Sequence, residues 1–210
     1  MPDNLKISEI NIYPVKSCAG IALSQAEVVD TGFEHDREWM VVNGERGNLI
    51  DFFVGNFITQ LQYPKMTLIK TTIISNGVRL EASGMDSIDV PIILEGTRVN
   101  TKVWGNKSVG IDQGQNVSDW LSKFLGKKCR LIRMAPDFKR AIKAKYQLKG
   151  NEITGFADAL PFLLISEESL NELNSKLAEK LPMNRFRPNI VISGGTAFQE
   201  DSWKKYALAR

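Results

Sequence analysis

The 210 residues are 43% hydrophobic and 24% charged, ordinary proportions for a globular chain that buries its core without staples. A net charge of +3 is too small to imply nucleic acid, and two distant cysteines, Cys18 and Cys129, form neither a disulfide framework nor a paired zinc motif and point to a reducing compartment. Met1-Pro2-Asp3-Asn4-Leu5-Lys6 lacks the basic and apolar regions of a signal peptide, and no apolar run approaches the roughly 20 residues of a membrane helix, so the expectation is a cytoplasmic protein without a membrane partner.

The first hundred residues read as β-rich. Ile10 and Ile12 alternate ahead of Pro14, and Trp39 to Val42 is an apolar run closed by Asn43-Gly44. Met66 to Ile74 is rich in Ile and Thr, and Asn76-Gly77 predicts a hairpin into Val78-Arg79-Leu80. Further strands are expected over Ile88 to Leu94 and Arg98 to Trp104. Short strands spaced by turn residues predict a barrel or sandwich.

Val117, Trp120, Leu121, Phe124 and Leu125 repeat with helical spacing, with Asn116 as N-cap and Gly126 as C-cap. This helix, or the strand after it, is the expected domain boundary. Cys129 sits in an alternating, strand-like run. From Lys123 to Lys149 there are ten basic residues and one acidic residue, Asp137. Such a run reads as a solvated face, or as an electropositive rim for an anionic cofactor or acidic partner. A second helix is predicted from Glu167 to Lys180, capped by Ser166 and ended by Pro182.

Three stretches carry candidate chemistry. In Asn184-Arg185-Phe186-Arg187-Pro188-Asn189, Pro188 biases Arg187 towards an extended conformation. Its guanidinium suits a bidentate contact to an oxyanion, and Asn189 adds donors and acceptors beside it. An ordinary salt bridge at a strand entrance is the plain alternative. Lys16-Ser17 follows Pro14 and precedes Gly20, a tight loop suited to a phosphate or pterin oxygen, an anion site of the pyridoxal phosphate type; it also reads as a surface loop. Arg37 either binds an anion or pairs with Asp36 or Glu38. His35 is the only histidine, so no Ser/His/Asp set is available without it.

Asn184-Arg185-Phe186-Arg187-Pro188-Asn189-Ile190-Val191-Ile192-Ser193-Gly194, with Phe198-Gln199-Glu200-Asp201-Ser202-Trp203 after it, resembles the N-F-R-P-N … E-D-x-W signature of MOSC-domain proteins, in particular the amidoxime-reducing kind and its bacterial counterparts. Tyr13-Pro14-Val15-Lys16-Ser17-Cys18-Ala19-Gly20, Asp36-Arg37-Glu38-Trp39-Met40-Val41-Val42 and Pro161 to Leu170 resemble three further family blocks in the same order.

The resemblance implies a mainly β fold: an N-terminal MOSC β-barrel-like domain over residues 1–126, then an incomplete MOSC domain over 127–210. It implies a molybdenum–pterin cofactor touched by Lys16, Ser17, Arg37, Asp158, Arg187 and Asn189. It also implies reduction of small N-hydroxylated compounds, with electrons from a flavin or iron–sulfur partner. Asp158 matches the family's acidic residue beside the cofactor, though an Asp there also reads as a turn cap. Two departures bear on activity. The family's T-x-R-Q-x-P block stands here as Thr59-Gln60-Leu61-Gln62-Tyr63-Pro64, preceded by an atypical Asp51-Phe52-Phe53-Val54-Gly55. The family's metal-ligating cysteine falls beyond Arg210, so the expectation is a chain that binds no metal through its own residues and does not reduce these substrates as it stands. A non-catalytic cofactor-binding or carrier module is the alternative; a basic RNA-binding or acidic-partner-binding protein is a more distant one.

Overall fold

The computed structural model describes residues 5–44 and 57–203; the atypical segment 51–55 lies outside them. The strands are β1 (Lys6–Ile12), β2 (Ile21–Leu23), β3 (Val28–Val29), β4 (Gly32–Phe33), β5 (Trp39–Asn43), β6 (Lys70–Ile74) and β7 (Gly77–Glu81). They continue with β8 (Ile88–Pro91), β9 (Arg98–Val103), β10 (Asn106–Asp112), β11 (Cys129–Met134), β12 (Leu164–Ser166) and β13 (Ile190–Ser193). Two α-helices, α1 (Gln115–Leu125) and α2 (Glu167–Asn174), complete a mainly β chain. Two compact units result, one from residues 12–21 and 27–161, the other from 1–11, 22–26 and 162–210, counted over the described residues.

In the larger unit, β5, β11, β10 and β9 form an antiparallel sheet in that order, and β6, β7 and β8 a three-stranded one. The Trp39 to Val42 run is continuously apolar because β5 is covered on both faces. Successive strand residues point to opposite sides. Trp39 and Val41 join a cluster with Leu131, Met66, Ile69, Val78, Leu80 and the α1 residues Val117, Trp120, Leu121 and Leu125. Met40 and Val42 join another with Ile132, Val99, Val103, Phe57 and Phe156. The helical stripe read from Val117 to Leu125 thus packs on the sheet within this unit. Its start differs from expectation: the N-cap is Gly114, whose N–H donates to the Asp112 carboxylate at 2.8 Å, two residues before Asn116. Gly126 ends it in the left-handed region, as predicted.

Two strand expectations shift. Pro64 opens a 3-10 turn over Pro64–Leu68, so the Met66 to Ile74 run becomes a turn and then β6. The hairpin turn after it is Ser75-Asn76, and Gly77 already pairs in β7, where a Cβ would lie 2.0 Å from the Val90 carbonyl oxygen. The unpredicted hairpin is Trp104-Gly105 between β9 and β10, with φ of 48° and 86°; two positive φ values are what a primed two-residue turn requires.

In the smaller unit the sheet order is β12-β13-β1-β2, with β13 parallel to β12 and antiparallel to β1. Ser166 caps α2 by accepting the Ser169 N–H, as predicted, but the helix stops at Asn174 rather than Lys180. Asn174 turns its side chain to the backbone of Leu181, with bonds of 2.8 and 2.9 Å, and Ser175 bonds the Glu172 carbonyl at 2.7 Å. Such local polar bonds compete with helix continuation. Glu200, from the E-D-x-W block, accepts the Ser166 N–H at 2.9 Å and the Ser169 hydroxyl at 2.7 Å, placing a carboxylate at the start of α2.

Candidate functional site

Three loops of the larger unit meet around Lys16. The first follows Pro14: Val15 bridges Trp39, the Lys16 N–H donates to the Trp39 carbonyl at 2.8 Å, and Val15 and Cys18 are fully buried. Those anchors force Ser17 into the left-handed region at φ 71°. The second is the Glu34–Arg37 turn after β4. There Asp36, buried, accepts the Tyr13 N–H at 2.7 Å and the Arg37 guanidinium at 2.5 Å, and that guanidinium lies 4.5 Å over the Tyr13 ring. The third is Gly155–Asp158. Its Phe156 N–H donates to the Arg37 carbonyl at 2.8 Å, and a Cβ at Gly155 would sit 2.9 Å from the same oxygen. Glycine is required there by close approach of two backbones.

Lys16 is 7% exposed and its ammonium donates to the Phe156 carbonyl at 2.8 Å and to the Asp158 carboxylate. Burial lowers the Lys16 pKa and the nearby Arg37 and Arg140 charges lower it further, against the raising effect of Asp158. Asp158 moves down as well. Its own desolvation works the other way, but the Lys16 charge and hydrogen bonds from Lys16 and Trp104 outweigh it. The Trp104 indole N–H reaches Asp158 at 2.7 Å, and its ring meets Phe57 edge-on at 5.4 Å between centroids.

Sequence reasoning missed Arg140. It is 3% exposed and donates to the carbonyls of Gly155 at 2.8 Å, Ala157 at 2.6 Å and Asp158 at 3.1 Å, clamping the third loop. Its position in a lysine-rich run suggested solvent, and nothing in the local spacing marks it as inward. Trp104 was missed too, although a tryptophan-glycine pair between two alternating runs is a visible turn signal. Among the described residues, three cations, Lys16, Arg37 and Arg140, gather with two carboxylates, Asp36 and Asp158.

Arg187 and Asn189 belong to the smaller unit. Arg187 is not extended: its φ is 60°. Phe186 closes a 3-10 turn at Met183–Arg185, and the chain must reverse into β13. A residue just past a helical cap commonly makes that reversal in the left-handed region. Pro188 disfavours only the right-handed helical conformation for its predecessor. Asn189 is buried; its side chain accepts the Leu163 N–H at 3.2 Å and donates to the Asn11 carbonyl at 3.1 Å, tying β13 to its neighbours.

Six non-glycine residues among the described ones have positive φ: Ser17, His35, Arg37, Trp104, Arg187 and Phe198. Three were singled out from sequence and a fourth bonds Asp158. Each such residue costs about 1–2 kcal/mol, and such strain persists where surrounding structure enforces it.

The donor set of Lys16, Ser17, Arg37 and Asp158 has the chemistry of a cradle for the anionic end of a cofactor. Among the described residues no three His, Cys, Asp or Glu side chains gather. Cys18 and Cys129 lie in the apolar core, and burial raises the Cys129 pKa. Leu61, in place of the family arginine, is exposed on the turn after Thr59. No helix among the described residues is long and apolar enough to cross a membrane.

Residues 4–128 match the model of the MOSC N-terminal beta barrel domain and residues 151–209 that of the MOSC domain. The chain is 35% identical over 213 residues to mitochondrial amidoxime-reducing component 1 of Mus musculus, covering 96% of this chain and 59% of that protein. It is 36% identical over 213 residues to mitochondrial amidoxime reducing component 2 of Rattus norvegicus, with 96% and 60% covered. It is 33% identical over 222 residues to molybdenum cofactor sulfurase of Danio rerio, with 96% and 26% covered. The chain thus spans about three fifths of the length of the first two relatives.

Proposed function

This chain belongs to the MOSC family, and from that premise we propose that it binds the molybdenum–pterin cofactor, with an N-terminal domain over 1–126 and a MOSC domain over 127–210. The observation that carries the reading is the buried Lys16 ammonium, backed by two guanidinium groups and opposed by the one exposed carboxylate of Asp158. Cations gathered out of water are costly, and an anion bound beside them offsets that cost. Lys16, Ser17 and Arg37 would take phosphate and pterin oxygens, and Asp158 a pterin N–H. The family resemblance implies cofactor contacts for Arg187 and Asn189 as well, although the buried Asn189 amide is already bonded to Leu163 and Asn11. When bound, the cofactor would supply the two-electron chemistry by which a complete protein of this kind reduces a small N-hydroxylated compound, with electrons from a flavin or iron–sulfur protein.

The residues' own part is binding and orientation. Arg140 fixes the Gly155–Asp158 backbone, so Asp158 presents its carboxylate at a set position against Lys16. Trp104 covers that carboxylate from one side. A cytoplasmic location belongs to the same proposal.

A carrier role is the second reading. It is favoured by relatives that include a molybdenum cofactor sulfurase beside amidoxime-reducing components.

Calorimetry with purified cofactor tests binding. Lys16→Ala and Arg187→Ala should each weaken affinity by about 1.5–3 kcal/mol, the scale of a hydrogen bond to a charged group. Unchanged affinity in both removes the site. An amidoxime-reduction assay on the loaded protein with an artificial donor then separates reductase from carrier.

A further inference from the structure

The lysine run beside Arg140 is not used by the cradle. Lys139, Lys143, Lys145 and Lys149 are exposed, whereas Arg140 among them points inward. None of the four forms an ion pair with a carboxylate among the described residues. The two acidic side chains nearby are engaged: Asp137 pairs with Arg98 at 3.1 Å. Glu152 accepts the backbone N–H groups of Leu148, Lys149 and Gly150 at 2.9, 2.7 and 3.1 Å.

The loop bearing these lysines has a defined backbone. Ala141 bridges Ile153, Ile142 bonds Glu152 at 3.1 Å, and Thr154 bonds Arg140 at 3.0 Å. The Gln147 side chain donates to the Ile142 carbonyl at 3.0 Å, and Ile142 itself is buried. At the tip, Leu148 is 78% exposed and Tyr146 is exposed beside it, with the Lys145 ammonium 4.6 Å over the Tyr146 ring. An aromatic and an aliphatic side chain flanked by lysines without a carboxylate partner among the described residues form a small apolar patch with a positive rim.

We infer that the loop from Lys139 to Lys149 is a docking surface for an acidic protein; that this protein delivers electrons rests on the function proposed above. Four ammonium groups select a partner rich in Asp and Glu, and Leu148 selects a folded one with an apolar patch inside its acidic ring. A single-stranded nucleic acid needs a succession of stacking rings along the basic track. Tyr146 is the exposed one here; Phe138 is half-buried and Phe124 packs in α1 against the core. Arg140 is the one cation of this loop that serves the cradle instead. Arg140, between Lys139 and Ala141, holds the loop that places Asp158 on Lys16.

The test measures binding of the 210-residue protein to an immobilised ferredoxin and an immobilised flavodoxin, both acidic, to basic cytochrome c, and to an oligouridylate. Affinity for at least one acidic protein at low salt should fall as salt is raised. Lys139→Glu, Lys143→Glu, Lys145→Glu and Lys149→Glu together should cost about tenfold or more. Reversing four exposed lysines elsewhere, Lys65, Lys70, Lys107 and Lys123, changes net charge equally and should cost far less. Leu148→Ser alone should weaken binding without altering its salt slope. Equal loss in the two charge variants, no binding by either acidic protein, or tighter binding of the oligouridylate than of both would overturn the inference. Cofactor affinity of the Lys139–Lys149 variant is measured alongside. If it is unchanged the surface is separate from the cradle; if it falls in parallel the inference fails. A wild type that binds no cofactor defeats the proposed function while the docking result still stands on its own.

Discussion

Two stretches of this chain are basic for opposite reasons. Around Lys16, two cations are buried and a third, Arg37, is half-buried, each held by named carbonyls, carboxylates or a ring. From Lys139 to Lys149, four of the five cations are exposed and lack carboxylate partners among the described residues. The sequence shows more charge in the second stretch, yet the first is the cradle. Burial, not charge count, makes a cation expensive and therefore worth interpreting. Arg140 joins the two, because it sits in the exposed run and does its work in the buried cluster.

That contrast breaks first at Arg140. Arg140→Met removes three hydrogen bonds to the Gly155–Asp158 backbone and strands their carbonyls. The expected loss is about 3 kcal/mol of folding stability, since buried unsatisfied groups cost roughly 1–3 kcal/mol each and relaxation recovers part. Lys143→Met, three residues on and exposed, should fall within about 0.5 kcal/mol of wild type. Urea unfolding of the two variants decides it. Equal effects would mean that the inward clamp carries no stability.

Strain sharpens the same comparison at smaller scale. Ser17 holds φ 71° in the cradle loop, a conformation glycine adopts freely. Ser17→Gly should therefore relieve about 1 kcal/mol in the folded state, partly offset by the greater freedom of the unfolded chain. Cofactor affinity should nonetheless fall, because the hydroxyl is lost. Thermal unfolding together with calorimetry reads both signs. A Ser17→Gly variant that is clearly destabilised and binds as well as wild type would show that neither the strain nor the hydroxyl matters.

Much of the fold was legible, and the reasons differ by element. The Val117 to Leu125 stripe is local and amphipathic, so its periodicity survives packing. The Trp39 to Val42 run was legible as apolar, but its reason, cover on both faces, depends on residues as distant as Phe156. The end of α2 was misread because leucine spacing continues past Asn174, while Asn174 and Ser175 spend their side chains on local backbone bonds. At the site, Lys16, Arg37 and Asp158 were legible through family blocks, and the structure brings Lys16 and Asp158 into contact. Arg140 was hidden because an inward arginine and an outward one look alike in a basic run. The left-handed turn at Arg187 was hidden because the proline rule constrains one region and not the alternatives.

The smallest effect lies at the edge of the buried cluster, in the chain's single histidine. His35 stands at φ 65° in the turn that carries Asp36 and Arg37, with Nδ1 3.5 Å from the Glu38 carboxylate. At that separation the contact is an ion pair more than a well-formed hydrogen bond. Arg133 donates to the other Glu38 oxygen at 2.8 Å, and the Trp39 ring lies 6.4 Å away between centroids. Interaction with Glu38 raises the His35 pKa above 6.5, helped by Glu34 and opposed by desolvation and by Arg133. A raised folded-state pKa means that the folded form holds its proton more tightly than the unfolded chain. The stabilisation is therefore complete below the unfolded value and is lost as pH rises through the higher folded one, so stability should decline modestly from mildly acidic to mildly alkaline pH. Glu38→Gln should flatten that decline and bring the imidazole towards its ordinary titration. With one histidine, proton NMR follows a single imidazole without assignment. A midpoint at or below 6.5 would show that Glu38 is committed to Arg133 and that the cluster's edge is electrostatically closed to His35.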